Sequence, residues 1–444
     1  MSVRFPHPLV LLLIGILLAA GLSYLLPAGQ FERRDDPATG RSVVVAGTYH
    51  PVEPTPVGPF EAIVAIPRGM ADAADVIFLV FLVGGAFMVV DQTGALRRGV
   101  DSLVRRLQDR ELLVIPVVSL AFATGGVLQQ MQEEIIALVP VLLLLTRRMG
   151  YDALTAAAMS IGAAAVGAAF SPINPFQVGI AQRLAELPLL SGGGYRMVFL
   201  ALALAAWIGG TMRYAARTRT TPEAAEITGE RLGGRDGAVL ALVAGTFALF
   251  VVGVLRLGWG FHEMSALFFV MGVLAGLIGR LGVRGTTDAY LLGFREMAFA
   301  ALLIGFARAI FVVLQDGQII DTLVSGLFAP IAELPVSLSA FGMMIAQALI
   351  HFPVPSTSGQ AVLTLPVLVP LSDLLGLSRQ VTVLAYQYGA GLTELITPTN
   401  GALMAVLAAA GVGFERWLKF TLPLFAALFA LGALAVGLGI ALGV

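Results

Sequence analysis

Long apolar segments separated by short polar ones run through the whole chain, and their lengths predict helices. The first run, Pro8–Leu26, meets the requirement of about 20 apolar residues for one crossing of a bilayer. Further single spans are predicted at about 73–91, 196–213, 237–256, 264–281 and 297–314, with a last one that ends at Val444. Residues 31–70 are rich in proline and mixed in charge, so we expect them outside the membrane, with a strand at Ser42–Ala46.

Two apolar stretches carry a polar centre and are too short for two full spans with a turn. The first covers 111–146 with the polar run Thr124–Glu134, and the second covers 335–372 with His351–Gln360. We interpret each as a re-entrant hairpin that turns near the midplane, the first from the cytoplasmic side and the second from outside. The alternative for the first stretch is two short spans with an external polar loop, which would invert the topology of everything after it.

Two further apolar segments are interrupted by short polar stretches that contain proline. Ser171–Pro175 lies within 153–187, and Thr397–Gly401 lies within 378–410. Proline removes a backbone donor and clashes with the preceding turn, so we predict a broken helix at each place. Unwound backbone at membrane depth is tolerated only inside protein or along a cavity. Such breaks in corresponding positions of two halves indicate the binding site of a transporter.

The two halves of the chain align without a gap at an offset of 226 residues. In this register Pro172 matches Pro398 and Asn174 matches Asn400, and the polar centres of the hairpins also coincide. The first copy runs from inside to outside through its break, and the second runs in the opposite direction. We therefore predict an all-α polytopic membrane protein with an inverted-topology repeat, two re-entrant hairpins and two broken helices.

Composition and charge agree with a membrane protein and orient it. Of the 444 residues, 58% are hydrophobic and 12% are charged, against about 25% charged in soluble domains. Basic residues at Arg97–Arg110 and Arg213–Arg219 indicate the cytoplasmic side, the first as an amphipathic interfacial helix. Nine crossings then place the N-terminus inside and the C-terminus outside a bacterial cytoplasmic (inner) membrane. A net charge of −1 suggests no nucleic-acid partner, and the absence of cysteine excludes thiolate catalysis.

The chain divides into five parts on this interpretation. We predict first-half scaffold helices and a cytoplasmic arm at 1–110, and a first transport domain of hairpin and broken helix at 111–195. Scaffold helices, a linker and an external arm follow at 196–334, and the second transport domain at 335–412. The final span covers 413–444.

Four motifs resemble the YfcC-like branch of the anaerobic C4-dicarboxylate carrier (DcuC) family, within the ion-transporter superfamily. They are the segments at Ala74–Phe87, Ser171–Phe176, Pro355–Gln360 and Leu395–Asn400. The resemblance implies a homodimer in which a transport domain slides against a scaffold domain like an elevator. It also implies coupling to Na⁺ or protons, and no other cofactor is expected.

The resemblance also assigns candidate residues, by position in this sequence. It places Ser356, Thr357 and Ser358 at a hairpin tip, and Asn174, Thr397, Thr399 and Asn400 at the breaks. The first tip departs from the symporter pattern of serine, asparagine and threonine, because it carries Gln129, Gln130, Gln132, Glu133 and Glu134 instead.

Candidate substrate-binding residues are the polar and ionisable side chains at the tips and breaks. They are Gln130, Glu133, Glu134, Asn174, Ser356, Thr357, Ser358, Glu394, Thr399 and Asn400. Candidate Na⁺ ligands near the breaks are Ser171, Asn174, Thr397 and Asn400, since Na⁺ takes hydroxyl, amide and carbonyl oxygens.

Structural roles stand beside these functional ones. The asparagines could cap the broken helices, and the hydroxyls could cap the second hairpin. Arg308 and His351 are ionisable at membrane depth and therefore functional candidates. Arg308 could instead anchor scaffold helices through Asp75 or Asp91, and His351 could be a satisfied buried polar group.

An acidic tip that faces Glu394 favours a cationic headgroup, an α-amino group or a coupling proton. We therefore expect a secondary transporter for a small polar solute, with amino-acid-like or basic substrates favoured. The alternative is a symporter or antiporter of C4-dicarboxylates or other carboxylates, with Arg308 or the helix ends as anion ligands. A passive channel is a more distant alternative. Enzyme motifs such as HExxH, GxSxG and a P-loop do not occur, so we do not expect an enzyme.

Overall fold

The computed structural model describes residues 8–36, 41–106, 111–220, 233–257 and 259–444, and helices dominate these segments. The described part begins with α1 (Pro8–Leu25), followed by two small antiparallel sheets. Strand β1 (Gly29–Gln30) pairs with β4 (His50–Pro51), and β2 (Arg33–Asp36) pairs with β3 (Arg41–Val44). Three helices follow: α2 (Pro59–Asp72), α3 (Ala74–Gln92) and α4 (Ala95–Arg106).

A helical pair and a broken helix come next. Helix α5 (Val114–Gln129) and α6 (Glu133–Arg148) are joined by a tight turn in which Gln130 adopts a left-handed conformation (φ 56°, ψ 39°). The broken helix consists of α7 (Ala153–Ala157), a π-helical turn (Ala158–Gly162), α8 (Ala163–Ala169), a second π-helical turn (Pro175–Gly179) and α9 (Ile180–Leu184). Helix α10 (Gly193–Arg217) completes this half.

The second half repeats this order after a group of long helices. That group is α11 (Gly234–Leu257), α12 (Phe261–Ile278), α13 (Gly282–Asp316) and the short α14 (Ile320–Phe328). The helical pair is α15 (Val336–His351) and α16 (Thr357–Leu374), the broken helix is α17 (Arg379–Thr393) and α18 (Gly401–Ala409), and α19 (Phe414–Leu442) follows. The order of pair, broken helix and long helix therefore occurs twice, and the inverted orientation of the two copies stays a prediction.

Helix lengths agree with a membrane protein. Within the described residues, α3, α10, α12, α13 and α19 are long and apolar enough to cross a bilayer. Helices α5, α6 and α15 have 16 residues each. At 1.5 Å per residue such a helix measures about 24 Å, which is less than the hydrocarbon thickness of about 30 Å.

Asparagine restarts the helix after both breaks. At the first break, the Asn174 side chain accepts hydrogen bonds from the backbone N–H groups of Phe176 (2.9 Å) and Gln177 (3.0 Å), and Pro175 occupies the first helical position. At the second, Asn400 accepts from the N–H of Leu403 at 3.1 Å. Both are N-cap arrangements, which satisfy donors that the helix leaves open.

Several predicted boundaries need correction. Residues 59–72 form α2 where an external irregular segment was predicted, and the helix contains Pro67. Helix α13 starts at Gly282 rather than near 297. Its first turns contain charged residues, so hydropathy alone did not predict them, although the helix packs against α2 and α3. The external stretch after Asp316 contains α14. Strand β3 and helix α4 lie where a strand and an amphipathic helix were predicted, although residues 107–110 fall outside the described residues.

Helix α13 holds the predicted scaffold together and reaches the second broken helix. It packs against α1, α2 and α3, and also against α18. At Gly69 of α2, a Cβ atom would lie 2.6 Å from the backbone nitrogen of Ala309, so only glycine permits this approach of the two helices. Gly401, the first residue of α18, similarly lies against Ile304 of α13. The second break is therefore fixed beside the longest helix.

Candidate functional site

A cavity of about 780 Å³ lies between three parts of the molecule. Its walls come from the β-strand segment with α14, from α2 and α13, and from the second hairpin tip with the second break. Five predicted site residues line it: Glu133, Arg308, Ser356, Thr399 and Asn400. The cavity thus joins the first tip to the second tip and the second break.

Side chains of the second break tie it to both hairpins. Asn400 Nδ2 donates to Gln132 Oε1 of the first tip at 3.1 Å. Thr399 Oγ1 donates to the carbonyl oxygen of Phe352 at 2.6 Å, next to the second tip. Ser356 caps α16 by accepting from the N–H of Gly359 at 3.2 Å. These bonds hold three cavity-lining hydroxyl and amide groups in fixed positions.

Glu394 lies behind this wall, at the end of α17, and only 4% of its surface is exposed. One carboxylate oxygen accepts from Gln130 Nε2 at 3.0 Å, and the other accepts a short hydrogen bond from Gln132 Nε2. Gln130 Nε2 also donates to Thr357 Oγ1 at 2.5 Å. The expected meeting of the first tip with Glu394 is therefore present, and two glutamine amides make the contact.

The two glutamates of the first tip differ in position. Glu134 Oε2 accepts from the backbone N–H of Gln132 at 3.1 Å, which stabilises the turn. Glu133 lines the cavity and forms no ion pair within the described part of the chain. Of the two adjacent carboxylates, Glu133 thus lines the cavity, whereas Glu134 is engaged in the turn.

The first break is closed by backbone contacts. Ser171 Oγ donates to the carbonyl oxygen of Val127, and Asn174 Nδ2 donates to that of Gly126, both at 2.8 Å. At Gly126 a Cβ atom would lie 2.0 Å from the Ala164 carbonyl oxygen, so this glycine lets α5 approach α8 closely. Asn174 is fully buried and does not line the cavity. This geometry favours the capping interpretation of Asn174.

The remaining predicted residues lie away from the cavity lining. Thr397 Oγ1 donates to the carbonyl oxygen of Thr393 at 2.7 Å, and Ser358 follows Thr357 in the first turn of α16. His351 is fully buried, and its Nδ1 lies 3.0 Å from Gln360 Oε1. Its Nε2 has no hydrogen-bond partner among the described residues, so this buried histidine is satisfied at one nitrogen only.

The chain matches one family model and two curated relatives over nearly its whole length. A family model described as "DcuC: C4-dicarboxylate anaerobic carrier" matches residues 5–441. The chain belongs to the DcuC family. A protein of Escherichia coli (strain K12) named "Putative basic amino acid antiporter YfcC" is 31% identical to this DcuC-family chain, over 97% of the chain and 95% of its own length. A Haemophilus influenzae protein without a described function is 27% identical, over 97% and 96%.

Two solved transporter structures align with this DcuC-family chain over nearly its whole length, but with low similarity. The Alcanivorax borkumensis YdaH transporter has a TM-score of 0.46 and 19% identity over 99% of both chains. Neisseria gonorrhoeae MtrF, of a class of antimetabolite efflux pumps, has a TM-score of 0.42 and 16% identity over 99% of this chain and 96% of its own. Both scores are under 0.5 and support no conclusion about the fold. The family match confirms the predicted membership, and the function class is membrane transport.

Arg308 of this DcuC-family protein pairs with a residue that sequence reasoning did not consider. Its guanidinium forms a short ion pair with Asp72, and it lies 4.6 Å from the ring centre of Phe311. The alternative prediction of an aspartate partner is confirmed, but the partner is Asp72 rather than Asp75 or Asp91, because α2, which carries Asp72, was not predicted. The pair is about half exposed and lines the cavity.

Sequence reasoning also missed Arg196 on α10. This arginine is fully buried and donates to Gln387 Oε1 (2.9 Å), Gln380 Oε1 (2.9 Å) and the carbonyl oxygen of Ser191 (2.8 Å). Gln387 Nε2 in turn donates to the carbonyl oxygen of Ser171 at 2.7 Å. The sequence did indicate a buried polar cluster here, because Gln380 and Gln387 lie two helical turns apart on one face of α17.

Proposed function

We propose that this DcuC-family protein is a secondary active transporter for small amino-acid-like solutes, with basic amino acids favoured. Transport would follow an elevator-type alternating-access mechanism coupled to Na⁺ or protons. The cavity between the hairpin tips, the second break and α13 would bind the solute.

The charge of the cavity wall carries this proposal. Among the described residues, the cavity is lined by three carboxylates, those of Asp72, Glu133 and Asp321, and by the two guanidiniums of Arg33 and Arg308. Arg33 pairs with Asp321 at 2.8 Å, and Arg308 pairs with Asp72. Glu133 therefore remains to pair with a cationic group of the solute. The relative named as a basic amino acid antiporter supports the same choice.

An α-carboxylate would find partners elsewhere in the cavity lining. The N-terminus of α18, capped by Asn400, presents backbone N–H groups and the positive end of a helix dipole. Arg308 of α13 also lines the cavity and would reach a carboxylate on leaving Asp72. An amino acid would thus span from Glu133 to the second break, and a basic side chain would add a second cation.

A C4-dicarboxylate is the second candidate substrate. The family description favours it, as do the two arginines in the cavity wall. Both guanidiniums would first have to leave their aspartate partners, which makes this candidate the weaker one.

The mechanism and the assembly are part of the proposal. The repeated order of helical pair and broken helix supports alternating access, because two such units can rock a central site between two sides. The homodimer, the inner-membrane location and the N-terminus inside follow from the family resemblance and the distribution of arginines.

Uptake into proteoliposomes tests the proposal. Labelled arginine, ornithine and succinate would each be offered under an imposed Na⁺ gradient, a proton gradient or an outward gradient of unlabelled solute. Accumulation of basic amino acids above equilibrium supports the proposal. Accumulation of succinate alone would select the second candidate, and equilibration without accumulation would indicate a channel.

A further inference from the structure

We propose that Glu394, Gln130 and Thr357 form the binding site of the coupling cation, a proton or Na⁺, behind the wall of the solute cavity. The proposal rests on the proposed transport function and names the residues that link transport to an ion gradient. None of the three residues lines the cavity, so cation and solute occupy separate sites.

The position of Glu394 in its helix favours the binding of a cation. Glu394 is the C-cap of α17. This is the negative end of the helix dipole, where the last backbone carbonyl groups lack partners within the helix. A carboxylate at this end is destabilised, whereas one at an N-terminus is stabilised. With 4% of its surface exposed, Glu394 has little water to offset this cost.

The groups around Glu394 leave its charge uncompensated. Its hydrogen-bond donors are the neutral amides of Gln130 and Gln132. The tip of α6 adds two more carboxylates, Glu133 and Glu134.

Ionisable side chains on the other neighbouring elements are engaged elsewhere. His351 bonds to Gln360 on the second hairpin, and Arg308 pairs with Asp72 on the scaffold side. At the helix ends, Arg379 pairs with Asp373, Arg416 with Asp152 and Lys419 with Glu415, while Arg183 lies at the end of α9. Glu394 forms no ion pair within the described residues.

A buried acceptor beside Glu394 lacks a partner. Gln130 Nε2 donates to both Glu394 and Thr357, and Gln130 Oε1 is buried without any hydrogen bond among the described residues. A protonated Glu394 would donate its O–H to this amide oxygen once the amide turns over. Na⁺ would instead be bound by Gln130 Oε1, the carboxylate and Thr357 Oγ1, which are the hard oxygen ligands it requires. Either cation gives this oxygen a partner and neutralises the carboxylate, while Nε2 gives up its bonds to Glu394 and Thr357 and moves to the place that Oε1 had occupied.

A chain of two hydrogen bonds connects this site to the solute cavity. Gln132 donates from Nε2 to Glu394 and accepts at Oε1 from Asn400, which lines the cavity. Neutralising Glu394 weakens the first bond, because a charged acceptor binds a donor more strongly than a neutral one. Gln132 can then shift, which alters its hydrogen bond with Asn400 at the start of α18.

The oxygens at the first break are a poorer choice for the cation. Ser171 and Asn174 already direct their side-chain oxygens to backbone groups. Thr397 donates to Thr393. The cluster around Glu394 combines a carboxylate with a free acceptor, which those groups do not.

Cation-dependent thermal stability of the purified protein tests the site without any solute. One series varies Na⁺ against choline at constant ionic strength and fixed pH, and the other varies pH without Na⁺. A ligand that binds only the folded protein raises Tm with its concentration. We expect wild type to respond in one series, which identifies the cation, and Glu394→Gln to lose that response. Glu186→Gln, on an exposed surface residue, is the matched control and should respond like wild type.

Thr357→Val gives a second measurement if Glu394→Gln does not fold. Loss of one hydroxyl beside the carboxylate should weaken the apparent cation affinity about tenfold. The inference is overturned if wild type responds in neither series, or if Glu394→Gln keeps the wild-type response. It is also overturned if only Thr357→Val folds and its affinity is unchanged. A retained cation response without solute accumulation in proteoliposomes would refute the proposed function and leave the site standing.

Discussion

The two helix breaks contain the same pairing of proline and asparagine, but they make different contacts. At the first break, the side chains of Ser171 and Asn174 bond only to backbone groups. At the second break, Asn400 bonds to the Gln132 side chain of the opposite half, and Glu394 accepts from both tip glutamines. The side chains of the first break therefore bond to backbone groups of α5 and of their own helix, and Gln387 of the opposite half bonds to the Ser171 carbonyl oxygen. The side chains of the second break also bond to side chains of the opposite half.

This difference indicates separate tasks for the two breaks. Backbone groups keep their positions as long as their helices stay intact, so bonds to them fix the first break. Amide and carboxylate bonds between halves can exchange when a solute or a cation arrives. We infer that the first break is a structural support and that the second is the responsive part of the site.

Glu133→Gln should have the largest effect on transport. Glu133 faces the cavity, and loss of its charge removes the partner of a cationic solute. A hydrogen bond to a charged group contributes about 1.5–3 kcal/mol, so the half-saturating concentration of arginine should rise about 10- to 100-fold. Initial uptake rates across a range of arginine concentrations measure this change.

Glu134→Gln is the matched control at the neighbouring position. Because Glu134 bonds to the backbone of Gln132, its loss should lower thermal stability and change the half-saturating concentration less. Equal effects of both variants on arginine uptake would remove the distinction between the cavity glutamate and the turn glutamate.

Asn400→Ala and Asn174→Ala compare the two breaks directly. Asn400→Ala should reduce coupled uptake about tenfold, because it removes the bond between the cavity and Gln132. Asn174→Ala should instead lower stability by about 2 kcal/mol, as expected for the loss of a buried N-cap. Uptake and thermal unfolding of both variants check this, with Asn174→Ser as the variant that keeps a capping oxygen.

The contrast between the breaks depends on this pair of results. If Asn174→Ala folds with wild-type stability and loses uptake, the first break belongs to the binding site. In that case the capping bonds would be incidental to its role.

Sequence reasoning located the breaks and tips because their causes are local. Proline, asparagine and the polar centres act within a few residues, so the sequence pattern alone predicted a helix break at Asn174 and another at Asn400, where the helices restart. It could not assign their different roles, since those depend on which distant group each side chain meets. Gln132 was recognised at the first tip but was not among the candidate substrate-binding residues, and only the structure shows its contact with Glu394.

The scaffold was harder to predict than the site. Helix α2 was missed because Pro67 and charged residues interrupt its hydrophobic pattern, although its small residues pack against α13. The wrong partner for Arg308 followed from that omission. Helix α2 is defined mainly by its packing against α13, and such packing is not visible in the hydropathy of either helix alone.

Asp72→Asn should have a moderate effect on selectivity at the cavity wall formed by α2 and α13. It frees the Arg308 guanidinium toward the cavity, so competition of succinate with arginine uptake should strengthen a few-fold. Stability should change by less than about 1 kcal/mol, because both side chains are about half exposed. Unchanged competition would argue that Arg308 does not meet the carboxylate of a solute.

The smallest effect should come from the contact that Arg379 makes between the two halves. Arg379 pairs with Asp373 at 2.8 Å and with Glu186, just after α9, at 2.7 Å. The Arg379 guanidinium holds the pKa of the Asp373 carboxyl below its usual range. A lowered folded-state pKa means that the stabilisation is complete above the unfolded pKa of about 3.9 and is lost as pH falls below it.

Asp373→Asn should therefore lower Tm slightly near neutral pH, and the difference from wild type should shrink toward about pH 3. The exposed setting limits the contribution to at most about 1 kcal/mol. A difference in Tm that grows on acidification would contradict the pairing. If the variant also leaves coupled uptake unchanged, the halves communicate through the bonds from Gln130 and Gln132 at the centre rather than through this ion pair.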